Sequence, residues 1–176
     1  MAYLFFGKFS RHSLSVSILL LAPCAMAQST APVKAEAAVA YPSVAGIEIK
    51  RAEFGIFRDL SSPGATLDPT RVVARDGRPI GWVIAVDTQK PTVRWREEFT
   101  VPLPPQRWGM TPDTSDVRPT SISADRLTAS TERRVPVGGG TISHWWKLDA
   151  TDHRGPHTMR VYIEDVLVGD FSFEVN

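Results

Sequence analysis

Cysteine is all but missing from this 176-residue chain; the single one, Cys24, lies close to the N-terminus. The chain can therefore close no internal disulfide, and its folded part must rely on core burial alone. The most apolar stretch, residues 14–22, falls short of the ~20 residues that span a bilayer. Charge of one sign is lacking too: 20 Lys and Arg face 19 Asp and Glu, for a net charge of +1. That balance excludes a chain-wide basic field of the kind nucleic acid requires. Helical periodicity is absent after residue 45, and no segment repeats. The motifs of common nucleophiles are wanting as well. There is no Gly-x-Ser-x-Gly elbow, and Gly138-Gly139-Gly140 lacks the Lys-Ser/Thr that completes a phosphate-binding loop.

What is present begins with an export tag. Lys8, Arg11 and His12 precede the apolar residues 14–22, and Ala25-Met26-Ala27 matches the small-x-small cleavage rule. The expectation is a signal peptide over residues 1–27 and a periplasmic or secreted product. Two of the 20 basic residues leave with the peptide, so 18 remain against 19 acidic ones. Leu21-Ala22-Pro23-Cys24 faintly resembles a lipoprotein box, but Pro23 stands where that pattern wants a small residue. Acylation at Cys24 is therefore the lesser alternative. Residues 28–45, rich in Ala, Pro, Ser and Thr, read as a flexible linker. The remainder, residues 46–176, reads as one domain; 43% hydrophobic and 22% charged content is ordinary for a globular chain.

Strand signals fill that domain. Ile47 and Ile49 alternate with polar neighbours, and Phe54-Gly55-Ile56-Phe57 continues after a break near Arg51-Ala52, where a bulge resets the register. Arg71-Val72-Val73-Ala74 predicts a short edge strand. Gly81-Trp82-Val83-Ile84-Ala85-Val86 is nearly all apolar and predicts a strand buried on both faces. Over residues 93–101, Val93, Trp95, Phe99 and Val101 point one way with Glu97 among them, while Arg94, Arg96, Glu98 and Thr100 point the other. Residues 104–119 show no period, and weaker strands follow around Ile122, Leu127 and Val135. In the next strand Ile142, His144, Trp146 and Leu148 share one side, and Ser143, Trp145 and Lys147 the other. The chain ends in two alternating runs around Glu164-Asp165, an antiparallel hairpin. Strands without intervening helices predict an all-β fold. Specifically, they predict an immunoglobulin-like antiparallel β-sandwich of about seven to nine strands.

Candidate chemistry is sparse. His144, His153 and His157 lie within fourteen residues of one another, so a metal site is worth testing. Yet His153 and His157 flank the turn Gly155-Pro156, and His144 occupies an inward position that suits a core histidine with a hydrogen-bond partner. Glu97 and Glu98 face opposite sides of one strand and cannot share a substrate. Five tryptophans offer a better lead. With Trp146 inward, Trp145 is the outward ring, and Trp108 stands in the aperiodic loop. Either ring can anchor a protein partner or stack on a sugar, or it can simply cover a gap at the sandwich edge. Arg94 and Arg96, with Arg133 and Arg134, form a possible basic strip for an acidic partner, or an ordinary solvated face.

The segments Gly155-Pro156-His157-Thr158-Met159-Arg160-Val161-Tyr162 and Phe171-Ser172-Phe173-Glu174-Val175 resemble the closing hairpin of bacterial exported immunoglobulin-like domains. Phe54-Gly55-Ile56-Phe57 is similar to the opening strand of some uncharacterised families of that kind. The resemblance implies a fold and brings no catalytic or cofactor-binding residues. The leading expectation is a non-catalytic exported module that binds another envelope protein through Trp145, Trp108, Arg94 and Arg96. A carbohydrate-binding module is one alternative. A metal-binding protein or metal-dependent enzyme using His144, His153 and His157 is the other.

Overall fold

A computed structural model describes residues 40–60, 65–106, 108 and 120–176. The expected signal peptide, most of the expected linker, residues 61–64 and most of the aperiodic stretch 104–119 lie outside the described residues. Ten strands follow in order: β1 (Ile47–Asp59), β2 (Thr66–Pro69), β3 (Val72–Val73), β4 (Pro79–Thr88), β5 (Thr92–Thr100), β6 (Ser121–Ile122), β7 (Thr128–Pro136), β8 (Thr141–Lys147), β9 (Gly155–Ile163) and β10 (Val166–Val175). No helix occurs among the described residues. The count exceeds the expected seven to nine; the short β3 and β6 fall where strands are expected, around Val72 and Ile122, and the strand without a forerunner in the sequence is β2, four residues with no apolar alternation.

The strands form two sheets, β2-β1-β4-β8 and β3-β10-β9-β5-β7-β6. Setting aside β2, β3 and β6, the order reproduces the A-B-E and G-F-C-C′ sheets of an immunoglobulin-like sandwich. The parallel pairing of β3 with β10 adds a short strand at one edge of the larger sheet. The bulge expected near Arg51 is present: the β1–β4 register shifts between Ile49 and Arg51. Glu164 and Asp165, both with positive φ (46° and 69°), make the two-residue turn between β9 and β10. Positive φ at both central residues belongs to a type I′ turn, whose twist matches that of the flanking strands.

The inner faces meet in one core. Trp82, Ile84 and Val86 of β4, Trp95 and Phe99 of β5, Ile142 and Trp146 of β8, and Met159, Val161 and Phe173 of the terminal hairpin are all buried in it. Each large apolar side chain fully removed from water contributes about 1.5–3 kcal/mol. A second, smaller cluster of Phe57, Ala65 and Val83, with Leu67 and Trp145 against it, covers the outward face of the smaller sheet. This explains why residues 81–86 read as buried on both sides: Trp82 and Ile84 face the main core and Val83 the second cluster. Two residues on the linker side of residue 46 also contact the sandwich. Val44 is buried and bridges to Ile47, and the Tyr41 hydroxyl accepts a hydrogen bond from Ala52 N at 3.0 Å.

Candidate functional site

Among the described residues, the one acidic side chain sealed in the main core is Glu97, fully buried in the middle of β5. Alternation places it there: it shares the inward face with Val93, Trp95 and Phe99. A carboxyl group so placed costs several kcal/mol unless its oxygens are bonded, and the opposite sheet supplies the donors. Trp146 Nε1–H of β8 donates to Glu97 Oε1 at 2.6 Å. Trp82 Nε1–H of β4 donates to Oε2 at 2.5 Å. His144 Nδ1 lies 3.0 Å from Oε2. The strand register makes this possible, since Trp82 pairs directly with His144 across β4 and β8, with Trp146 two residues on. One carboxyl group thus ties β5 of the larger sheet to two strands of the smaller one.

The indole N–H can only donate, and an ionised carboxylate can only accept. With Glu97 as carboxylate, His144 must carry its proton on Nδ1 to complete the set. The surrounding rings fix these donors in place. Trp82 meets Trp95 edge-on at 5.2 Å between centroids, and His144 lies 5.0 Å from Trp95. Glu97 has no exposure to solvent, and its oxygens are taken by structural donors. In this arrangement it holds the sandwich together and cannot reach a substrate as acid or base.

The three histidines point to separate partners. His144 faces Glu97, His157 Nδ1 donates to the Gly155 carbonyl at 2.9 Å, and His153 Nε2 donates to the Pro104 carbonyl at 3.3 Å. No group of three or more potential metal ligands comes together among the described residues. Burial pushes the His157 imidazole below its usual range, while burial holds the nearby Asp152 carboxyl above the usual carboxylate range.

Trp145 projects from the outward face of the smaller sheet, opposite Trp146, as alternation requires. Its ring is half-buried against the second apolar cluster, with Lys147 Nζ 5.6 Å from its centroid. It makes no aromatic ring contact with another described residue, so no co-planar ring pair of the kind a sugar platform needs is built around it. Trp108 packs instead on the main core. It meets Phe99 and Trp146 edge-on at 5.9 and 6.5 Å, and its Nε1–H donates to the Arg126 carbonyl at 3.2 Å. Arg94 and Arg96 lie on the outward face of the larger sheet and are already engaged. Arg94 pairs with Glu132, Glu164 and Asp165. Arg96 pairs with Glu98 and stacks 3.9 Å over Tyr162.

The topology and the sealed carboxylate define an immunoglobulin-like β-sandwich without a disulfide, its sheets joined by a polar bolt. The chain belongs to the PM0630 beta sandwich domain family, which matches residues 52–176. A comparison with curated proteins gave no match. Among solved structures, an immunoglobulin-like protein from Pseudomonas aeruginosa aligns at TM-score 0.48 and 15% identity, over 74% of this chain and 96% of that one. The alkylpurine DNA glycosylase AlkC of Pseudomonas fluorescens, bound to DNA containing an abasic site analog, aligns at 0.36 and 9%, over 74% of this chain and 30% of that one. The soluble domain of PmoD from Methylocystis sp. ATCC 49242 (Rockwell) aligns at 0.33 and 18%, over 71% and 90%.

Proposed function

We propose that this chain is a non-catalytic exported module that binds another protein of the cell envelope. The observation that carries the reading is the outward face of the smaller sheet, where Trp145, Leu67 and Lys147 offer a half-buried aromatic anchor beside a cation. A large, rigid, partly desolvated ring is the kind of side chain on which binding energy concentrates. Arg94 and Arg96 contribute less to the reading, because their guanidinium groups are satisfied within the molecule. Export rests on the charged, apolar and small-residue signals of residues 1–27.

A photo-crosslinking residue placed at Leu67, with the same residue at the exposed Arg160 of the opposite face as control, tests the contact in intact cells. The expected result is an adduct with a different envelope protein from position 67, lost in Trp145→Ala and absent from position 160. Failure to form such an adduct, or its persistence in Trp145→Ala, contradicts the reading. N-terminal sequencing of the envelope form tests export separately; it should begin at Gln28.

A further inference from the structure

We propose that two copies of this chain pair through β8, antiparallel about a two-fold axis at His144, to make one continuous eight-stranded sheet. The starting point is the unequal treatment of the sheet edges. The larger sheet ends in β3 and β6, two residues each; beyond them β10 is broken by the register shift between Leu167 and Gly169, and β7 carries Glu132, Arg133 and Arg134 and ends in Pro136. The far edge of the smaller sheet is the four-residue β2, closed by Pro69, and the rest of β1 beside it holds a bulge and the charges Glu48, Lys50, Arg51 and Glu53. Short edges and prolines are how sheets avoid joining others. The remaining edge, β8, is seven residues long, with no proline, no register shift against β4, and one charge at its end.

The direction of its free hydrogen-bonding groups follows from the ladder. Val86 N–H donates to the Gly140 carbonyl at 2.8 Å, and the register continues through Ile84–Ile142, Trp82–His144 and Ile80–Trp146. Bonded pairs alternate along an antiparallel ladder. Ile142, His144 and Trp146 therefore turn their backbone groups to β4, and Thr141, Ser143, Trp145 and Lys147 turn theirs away from the sheet. Those four positions are symmetric about the midpoint of the strand. Under a two-fold axis at His144, Thr141 meets Lys147 of the second copy and Ser143 meets Trp145, so every outward group finds a partner.

The side chains agree with that register. The large Trp145 lies beside the small Ser143 of the other copy, and no two like charges meet. Shifting by two residues in either direction loses the full overlap and sets either two serines or two tryptophans against each other. A second copy is thus a self-complementary occupant, and the closed two-fold pairing is the commonest form of homo-oligomer. It also brings both Trp145 rings to one face, although the pairing does not depend on the partner-binding reading above.

The test is sedimentation equilibrium of the protein purified in the form the cell makes, as wild type, Thr141→Lys, Thr141→Glu, and Thr141→Lys with Lys147→Glu. Urea unfolding midpoints of the variants serve as the folding control. Residue 141 meets Lys147 twice in the dimer, and a cross-strand charge pair is worth about 0.2–1 kcal/mol. Thr141→Glu should tighten the dimer, and Thr141→Lys weaken it, each by about two- to thirtyfold in Kd. The double variant should recover the loss. A protein that stays monomeric up to about 1 mM overturns the proposal, whether β8 is bare or held by another chain. A dimer whose Kd ignores the charge at residue 141 overturns it equally.

Discussion

Trp146 on β8 reaches across the sandwich interior to donate its indole proton to Glu97 on β5, 2.6 Å away. With the second indole, Trp82, on the other oxygen, the carboxyl group works as a bolt between the two sheets. Breaking one partner of such a buried set leaves the others desolvated and unpaired, a larger loss than the net worth of the bonds.

Glu97→Leu should therefore destabilise the fold by about 3–5 kcal/mol although it adds apolar surface, because two indole N–H groups lose their acceptor. Glu97→Gln keeps one oxygen and should cost less. Urea unfolding monitored by tryptophan fluorescence checks both, and equal stability of the Leu variant and wild type would refute the bolt.

Gly81 lies between Ile80 and Trp82 on β4, where a Cβ would stand 2.1 Å from the His144 carbonyl oxygen and 2.8 Å from the Trp145 Cα. Both obstacles are backbone, so Gly81→Ala must push β8 away from β4. A loss of about 1–3 kcal/mol is expected from overpacking of this kind. The same shift should loosen the His144 contact with Glu97. Thermal unfolding measures the first effect, and the His144 ring resonances report the second.

Burial lowers the His157 pKa, so the folded state disfavours the imidazolium that the unfolded chain accepts. The unfolded state then binds more protons below about pH 6.5. Stability contributed by the neutral ring is complete above that value and is lost as pH falls through it. Asp152 works in the opposite sense: its carboxyl is raised by burial, so its contribution favours the acid side and is lost as pH rises through the folded value. The unfolding free energy should decline from pH 7 toward 5, and His157→Asn should flatten that slope. An unchanged slope in the variant would contradict the assignment.

Arg94 touches three carboxylates, yet its guanidinium remains partly exposed on the outer face. Surface ion pairs are worth about 0–1 kcal/mol each and are screened by salt. Arg94→Ala should lower the urea midpoint far less than Glu97→Leu does, with the difference from wild type shrinking in about 1 M salt. A loss as large as that of Glu97→Leu would mean that the outer face, not the core, carries the fold.

Much of this architecture is legible in the residues. Strict alternation over residues 93–101 already points Glu97 inward, and alternation over residues 141–148 points His144 and Trp146 the same way. What alternation cannot supply is which strands face each other, because the β5–β8 relation depends on contacts 47 and 49 residues apart in sequence. A charged residue at an inward position, with two inward tryptophans and an inward histidine elsewhere, was the available signal for the bolt. The first half of β10 is hidden for a local reason: the register shift between Leu167 and Gly169 breaks its period. β7 reads weakly because Thr-Ala-Ser-Thr-Glu-Arg-Arg carries little apolar contrast, its inward positions being the small Ala129 and Thr131. The engagement of Arg94 depends on neighbours from β7 and the β9–β10 turn, which only the folded register brings into range, whereas Glu98, the partner of Arg96, lies two residues on along the same strand face and is legible from alternation.

Hydrogen exchange at the five indole N–H groups, resolved by two-dimensional NMR in deuterated water, examines the tie between the layers without altering a residue. The Trp82 and Trp146 protons should exchange only through global unfolding, with protection equal to the full unfolding free energy, while the Trp145 proton exchanges far sooner. If Trp82 and Trp146 lose their protons as quickly as Trp145, Glu97 does not fasten one sheet to the other.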